Sequence, residues 1–186
     1  MTTGMVAPLG AIATASNSLA VTAESLCYMP GFGIGEAATT LIGQSVGARR
    51  KDMAKSFAKI TVIFAMAFMA ATAVLLYIFA PVLMGILSND PEVCELGNRI
   101  LRIEAFAEPL YGASIVVAGV LRGAGDTMMS SILSLVSLWC VRIPLSYILV
   151  KPLGLVGIWS AMCTELCFRG TIFLVRLVRG KWLRQV

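Results

Sequence analysis

The uncharged run ITVIFAMAFMAATAVLLYIFAPVLMGILSN, residues 60–89, decides the fold class of this chain. It contains thirty consecutive residues without a charge, whereas about 20 apolar residues are enough for an α-helix to span the hydrocarbon core of a bilayer. The composition agrees, since 58% of the 186 residues are hydrophobic and 13% are charged, against about 25% charged residues in soluble domains. The sequence therefore predicts an integral membrane protein.

The other apolar segments predict an all-α protein with about five transmembrane helices. They are apolar on every face and lack the alternation of polar and apolar residues typical of membrane β-barrel strands. The helices are expected at about 14–47, 56–87, 94–121, 128–150 and 154–178. We expect residues 1–13 to be the remnant of a preceding helix or outer loop and residues 179–186 to form a basic cytoplasmic tail.

Lysine and arginine residues in the short connections predict how the chain crosses the membrane. They are concentrated after the first helix and after the fifth, with Arg122 between the third and fourth, whereas the turn SNDPEVCE is acidic. Because cytoplasmic loops are enriched in Lys and Arg, the three basic regions and the C-terminus should face the cytoplasm. We expect a multi-pass protein of the inner (plasma) membrane. An odd number of helices entered from outside also predicts that an upstream helix is missing from this chain.

Charge and residue content exclude several classes of function. The net charge is +5, but the basic residues bracket apolar runs and do not form the single stripe with interleaved aromatics that nucleic-acid binding requires. Membrane lipids are the expected partners of these cations. The chain has no histidine and its five cysteines are scattered, so neither the ligand spacing of a zinc site nor a histidine-dependent catalytic triad is present. We expect no metal site and no enzymatic activity.

Two turns carry the local signals of helix ends. In SNDPE, residues 88–92, Asp90 is a suitable N-cap and Pro91 suits the first helical position. In GVLRGAGDT, residues 119–127, Gly123 is expected to take the left-handed conformation that ends a helix and Asp126 to cap the next helix. GVLRGAGDT also lacks the Gly-Lys-Ser/Thr ending of a phosphate-binding loop. It is therefore expected to be a turn between helices.

The first helix contains a group of helix-weakening residues at its centre, namely Pro30, Gly31, Gly33 and Gly35. Proline removes a backbone hydrogen bond, so this helix should be kinked or locally unwound there. In transporters, an interrupted span is a pointer to the binding site. The alternative is that the glycines only allow close packing of neighbouring helices.

Charged residues inside the predicted spans are the candidate site residues, because charges in the membrane are costly and by default functional. Glu104 and Glu108 lie four residues apart in the third helix, so two ionised carboxylates there would repel each other. Such a pair could hold a proton or help to bind a cation. The alternative is a structural ion pair of either glutamate with Arg142. Glu36, just after the glycines, is a further candidate, and Glu24 is a weaker one.

Several segments together resemble the second half of the MATE (multidrug and toxic compound extrusion) transporters, in the order found in that family. They are MPGFGIGEAATTLIGQSVGARR at 29–50, GVLRGAGDT at 119–127, VRIPLSYIL at 141–149, and GLVGIWSAM at 154–162 followed by RGKW at 179–182. The PGFG and LRGAGDT segments are closer to the DinF-type branch of the family.

This resemblance implies a twelve-helix antiporter made of two six-helix lobes around a central cavity, of which this chain would supply the last five helices. Such a protein exports organic cations and other drugs in exchange for Na⁺ or H⁺, and it needs no other cofactor. The missing N-terminal lobe would then be an obligatory partner. In the NorM-type branch, an acidic residue on the third of these helices takes part in cation binding, and the matching position here is Tyr111, one turn from Glu108. In the DinF-type branch the main coupling carboxylates lie in the absent lobe.

Two alternatives from other classes remain open at this point. A related flippase that moves a lipid-linked saccharide would need a more cationic cavity, for which Arg142 is weak support. An inactive truncated membrane fragment is the third hypothesis, since five helices cannot enclose a cavity between two lobes.

Overall fold

The computed structural model describes residues 6–180 and 182–183 and contains no strand within that part of the chain. After a short 3₁₀ turn at Ala7–Leu9, the helices are α1 (Ala11–Gly47), α2 (Lys51–Leu87), α3 (Pro91–Glu104), α4 (Glu108–Gly123), α5 (Thr127–Ser137) and α6 (Ile143–Val178). A π-helical stretch, Leu138–Arg142, joins α5 to α6.

The predicted third helix is divided into α3 and α4. The two helices meet at an angle of 57° across residues 105–107. A single helix over 94–121 was expected, so this part of the prediction is wrong. Pro109 is the physical reason that the sequence offers, because it cannot donate the backbone hydrogen bond to Ala105 that a continuous helix would need.

The stretch from Thr127 to Val178 folds back on itself at Gly154. Gly154 has φ 56° and ψ −130°, a conformation that glycine adopts without steric cost. Three contacts join the two arms: Arg142 with Met162, Ser137 with Glu165, and Asp126 with Arg176. In each pair the two residues are equally far in sequence from residue 151 or 152, as in a hairpin. The stretch is therefore a pair of antiparallel helices, as the sequence predicted.

By length and hydropathy, α2 and the stretch 127–178 can cross a membrane, and the bent pair α3–α4 can do so if it counts as one span. Helix α2, which contains the uncharged run 60–89, extends over 37 residues. At 1.5 Å per residue it is about 55 Å long, more than the ~30 Å hydrocarbon core. Its ends therefore reach the two membrane surfaces.

Two buried apolar clusters hold the opposite ends of the bundle together. One cluster joins the start of α1, the end of α2, the start of α3 and the turn at 154–159. The other joins the end of α1, the start of α2, the end of α4 and the end of α6, with Trp182 and Leu183 packed into it. The three basic segments therefore lie at the same end of the bundle. Residues 182–183 of the expected basic tail are buried; Lys181 and residues 184–186, like residues 1–5, lie outside the described residues.

Helix α4 passes very close to α1 because both helices carry glycine at the crossing. A Cβ atom on Gly119 would collide with the backbone oxygen of Gly35, and one on Gly123 with that of Thr39. The Thr39 hydroxyl lies 2.9 Å from the Gly35 oxygen of its own helix and 3.1 Å from the Gly119 oxygen of α4. Small residues thus bring the two backbones together, as in other membrane helix pairs.

The two predicted helix-end turns differ in outcome. At α3 the prediction is confirmed, since the Asp90 carboxylate accepts a hydrogen bond of 3.0 Å from the Glu92 backbone N–H and Pro91 is the first helical residue. At the next turn Gly125, not Gly123, has the positive φ of 86°. Asp126 makes no capping bond to α5, because its carboxylate accepts a hydrogen bond of 2.8 Å from Arg176.

The Asp126–Arg176 ion pair should contribute measurably to the stability of the hairpin. Its side chains are only 6% and 19% exposed. We expect Asp126→Asn to reduce the free energy of unfolding by about 2 kcal/mol, because it leaves a largely buried guanidinium without its counter-ion. The midpoint of thermal aggregation in detergent measures the change.

The matched control is Glu36→Gln, which breaks the ion pair with Arg122. Those side chains are 66% and 44% exposed, and surface ion pairs contribute less than about 1 kcal/mol. Equal destabilisation by the two variants would contradict a special role for the buried pair.

Candidate functional site

The candidate site is a set of three buried carboxylates in the interior of the bundle. Glu24 on α1 is 6% exposed, and Glu104 at the end of α3 and Glu108 at the start of α4 are fully buried. Both carboxylate oxygens of Glu104 and of Glu108 lack a hydrogen-bond partner among the described residues. A buried carboxylate without a partner is costly in its charged form, so these oxygens are suited to a proton or a bound cation.

The three carboxyl groups form one electrostatic unit. Glu104 lies within Coulombic range of both Glu24 and Glu108, and Glu108 lies within range of Glu24. Ionisation of all three groups in a medium of low dielectric constant is unfavourable without a counter-charge. The set can therefore change its charge by taking up or releasing H⁺ or another monovalent cation. In the described part of the chain, acidic side chains and cysteines do not converge closely enough to form a metal site.

The break between α3 and α4 makes Glu104 and Glu108 inequivalent. Glu104 is in the last turn of α3, where the negative end of the helix dipole disfavours an ionised carboxylate, and Glu108 is the first residue of α4, where the positive end favours it. The lengths of α3 and α4, 14 and 16 residues, correspond to about 21 and 24 Å. The carboxylates therefore lie near half depth of the bent span, with Glu108 the better candidate for the charged state.

Arg142 does not form the expected ion pair with Glu104 or Glu108. Its guanidinium instead lies 2.8 Å from the Met162 sulfur across the hairpin, and no carboxylate of the described residues is within 4.0 Å of it. Arg142 remains within Coulombic range of Glu24 and Glu104, so it partly balances the acidic set without neutralising either group by contact.

Glu36 lies away from the three carboxylates. Its carboxylate is 3.2 Å from the guanidinium of Arg122 in the last turn of α4, and the two side chains are 66% and 44% exposed. The expected position in the apolar interior is therefore wrong for this residue, because the face of α1 that carries Glu36 is turned away from the buried set. Glu36 belongs to the basic end of the bundle.

The predicted unwinding of the first helix at Pro30, Gly31, Gly33 and Gly35 is not observed. Helix α1 continues through Pro30 without a break. A Cβ atom on Gly31 would lie 3.2 Å from the Met69 sulfur and one on Gly35 would lie 3.1 Å from a methyl carbon of Ile115. These two glycines therefore serve close packing, the alternative that the sequence left open, and tertiary contacts keep the helix intact.

A second buried network lies beside the carboxylates on α6. Glu165 accepts a hydrogen bond of 2.7 Å from the Ser137 hydroxyl and lies 3.4 Å from the Nε atom of Arg169. Glu165 and Arg169 are four residues apart and so lie on one face of α6. The Arg169 guanidinium also lies 5.5 Å from the ring centre of Tyr111, within the range of a cation–π interaction. Glu165 is therefore balanced by contacts of its own, whereas Glu104 and Glu108 are not.

Glu24 is the member of the site that sequence reasoning ranked too low. The helix begins at Ala11, not at residue 14, so Glu24 is about 20 Å from its start and near mid-depth. The ring of Tyr28, one turn further along, lies 5.9 Å from that of Tyr111. A corrected count of depth along α1 would have placed Glu24 with the other carboxylates.

The MatE family model matches residues 1–148 of this chain, which include all three buried carboxylates. This chain belongs to the MATE family. Among its curated relatives are two proteins described as probable multidrug resistance protein NorM. The one from Thermotoga maritima is 31% identical over 175 residues, and the one from Mannheimia succiniciproducens is 29% identical over 185 residues. The alignments cover 93% and 96% of this chain but only 38% and 40% of those relatives.

The fold is also that of solved MATE transporters. The bent form of the Vibrio cholerae MATE transporter VcmN superposes on 98% of this chain with a TM-score of 0.89, at 20% sequence identity. This chain corresponds to 41% of that transporter. The helices of this MATE chain therefore have the all-α transporter fold that the motifs predicted.

Proposed function

We propose that this chain supplies the second, C-terminal lobe of a multidrug efflux antiporter that exports organic cations in exchange for Na⁺ or H⁺. The proposal includes about seven further helices, namely the missing N-terminal lobe and the helix that opens this lobe. It also includes a location in the inner membrane with the basic end of the bundle in the cytoplasm, and the DinF-like branch. The names of the relatives, multidrug resistance proteins, support the efflux function, and the length that they have beyond this chain supports the further helices.

One observation carries the proposal: Glu104 and Glu108 are fully buried, and none of their four carboxylate oxygens has a hydrogen-bond partner among the described residues. Carboxylates in a permanent ion pair would only stabilise the fold, whereas carboxylates without a partner can bind and release a cation. In an antiporter, ion binding and drug binding favour different states of the two lobes. Coupling then follows from their differential affinities for those states.

Transport in membrane vesicles tests this proposal. The lobe is expressed within its complete protein or as a chimera with the first lobe of a NorM relative, and efflux of a fluorescent organic cation is followed under an imposed Na⁺ or H⁺ gradient. We expect efflux to stop when one of the two gradients is collapsed and to continue when only the other is. Efflux that survives the loss of both gradients, or its absence in a folded and inserted transporter, would contradict the proposal.

A polar cleft favours a second candidate, a flippase for a lipid-linked saccharide. The cleft has a volume of about 360 Å³, is lined by Arg122, Arg169 and Tyr111, and includes no Asp or Glu among its described lining residues. Four serines complete its polar wall: Ser114, Ser130, Ser131 and Ser134. Arginine and hydroxyl groups recognise phosphate well, so a phosphate-bearing substrate would compete with the Glu36 and Glu165 carboxylates for Arg122 and Arg169.

The same vesicles distinguish the two candidates. An antiporter moves the fluorescent cation but not a fluorescent lipid-linked pyrophosphate saccharide, and a flippase does the reverse. Arg169→Gln should weaken only the second activity if the cleft holds phosphate.

A further inference from the structure

A groove on the outer surface of the bundle has the form of a lipid site. It lies between the first half of α2 and the end of α6 and has a volume of about 400 Å³. Its walls are apolar and include Val62, Ile63, Met66 and Leu174, and its lining includes two cations, Lys55 and Lys59. An apolar trough with cations at only one end matches the shape of an acidic phospholipid.

The two lysines are available for a ligand. They lie four residues apart on α2, so they project from the same face of the helix, and both are exposed. In the described part of the chain neither amino group has a carboxylate within 4.0 Å. Two neighbouring ammonium groups repel each other, and an anionic group between them would relieve that repulsion.

The turn that contains Trp182 and Leu183 closes the groove on one side. Trp182 and Leu183 line it and are only 2% and 8% exposed. The Trp182 indole N–H donates a hydrogen bond of 3.1 Å to the Leu177 backbone oxygen, which holds this turn against α6. The cationic end of the groove is expected at the depth of lipid head groups, because lysine side chains near the end of a span reach for the membrane surface.

The groove has the length of one leaflet. From Lys55 to Met66 the helix advances by eleven residues, about 16 Å, which is about half of the ~30 Å hydrocarbon core. A lipid with its head group at Lys55 and Lys59 would therefore extend an acyl chain past Val62 to Met66. The basic end of the bundle also faces the leaflet that carries anionic lipids, if the orientation set by the positive charges holds.

We propose that this groove binds one acidic phospholipid from the surrounding leaflet, with its phosphate on Lys55 and Lys59 and an acyl chain along α2. The lipid would join the start of α2 to the end of α6 and to the turn at Trp182. The proposal does not depend on the transport activity, because it concerns only the fold of this chain and its lipid surroundings.

Quenching of tryptophan fluorescence by brominated lipids tests the site. The chain is placed in nanodiscs that contain either brominated phosphatidylglycerol or brominated phosphatidylcholine, and the signal of Trp182 is obtained by subtraction of a Trp182→Phe variant. Two lysines near the membrane surface should favour the acidic lipid on the order of 30-fold. Lys55→Gln/Lys59→Gln should reduce this preference to about onefold, since the apolar trough stays unchanged.

The matched control is Arg50→Gln/Lys51→Gln, which removes the same charge at the same end of α2 but outside the groove lining. We expect it to retain most of the preference. Equal quenching by both lipids in the wild type would show that the groove only faces bulk lipid. Equal loss in both double variants would show that the whole basic surface attracts the lipid, and either result overturns the proposal.

A measurement without variants gives a second test. Native mass spectrometry of the wild-type chain, released from membranes in mild detergent, should show one retained phosphatidylglycerol in preference to phosphatidylcholine. Retention of neither lipid, or of both in the proportion of the membrane, would also overturn the proposal.

Discussion

Glu108→Gln is expected to abolish ion-driven efflux of a fluorescent cation in a transporter that contains this lobe. The substitution keeps the size of the side chain but removes the charge at the start of α4, where the helix dipole favours an ionised carboxylate. Without that charge, the buried set loses its strongest ligand for a coupling cation. Efflux in vesicles under an imposed gradient measures the loss, and passive drug binding should remain.

Two variants serve as controls for Glu108. Glu104→Gln resembles the protonated state that the end of α3 favours, so we expect it to reduce efflux by less than about tenfold. Glu92→Gln is the same chemical change on an exposed residue of the first turn of α3 and should leave efflux unchanged. Normal efflux by Glu108→Gln would remove this residue from the coupling role.

Gly119→Leu is expected to prevent this lobe from folding. Even a Cβ atom at this position would collide with the backbone oxygen of Gly35, and a backbone atom cannot move aside as a flexible side chain can. We expect a loss of about 3 kcal/mol or more, at the upper end of the cost of overpacking. Fluorescence-detected size-exclusion chromatography should show aggregated protein in place of a single folded peak.

Gly33→Leu is the matched control because it makes the same substitution in a helix of the same pair. A Cβ atom on Gly33 would meet no heavy atom of another helix within 4 Å. Leucine has a higher helix propensity than glycine, so this variant should fold as well as the wild type or better. Aggregation of both variants would show that the apolar surface area, not the crossing with α1, causes the defect.

The membrane class and the hairpin could be predicted from the sequence because they depend on long-range composition. Thirty uncharged residues are typical of a buried or membrane-spanning helix. A short break near residues 151–154 separates two apolar runs that are each long enough for a full span, which predicts that the chain turns back there. The Asp90 cap could be predicted because its partners are adjacent in sequence. Each of these features depends on neighbouring residues or on total hydrophobicity.

The proline positions show why the local detail could not be predicted. Pro30 and Pro81 lie inside continuous helices, whereas the chain breaks directly before Pro109. The residue is the same in each case and the local cost is similar, so the contacts with neighbouring helices decide the outcome. At Pro30, glycines on the same face let α2 and α4 pack closely and keep α1 intact.

The candidate site was predicted in part for a related reason. Counting residues along a span gives the depth of a residue in the membrane, and that depth was enough to select Glu104 and Glu108 as candidates. It does not show in which direction a side chain faces. The count along the helix therefore did not reveal that the Glu36 side chain is exposed. It also did not reveal that the Arg142 guanidinium faces a methionine sulfur and not a carboxylate. Such directions depend on the rotation of each helix in the folded bundle.

The 57° break between α3 and α4 connects the chemistry of the site to its shape. Glu104 and Glu108 lie on opposite sides of that break, the first at the end of α3 and the second at the start of α4. A cation held by the charged Glu108, with the neutral Glu104 carboxyl as a second ligand, would link the two helices, and its departure would remove that link. The angle between the two helices and the occupancy of the ion site would then be thermodynamically coupled. A drug that prefers a different angle must change the affinity for the ion by the same factor by which the ion changes the affinity for the drug.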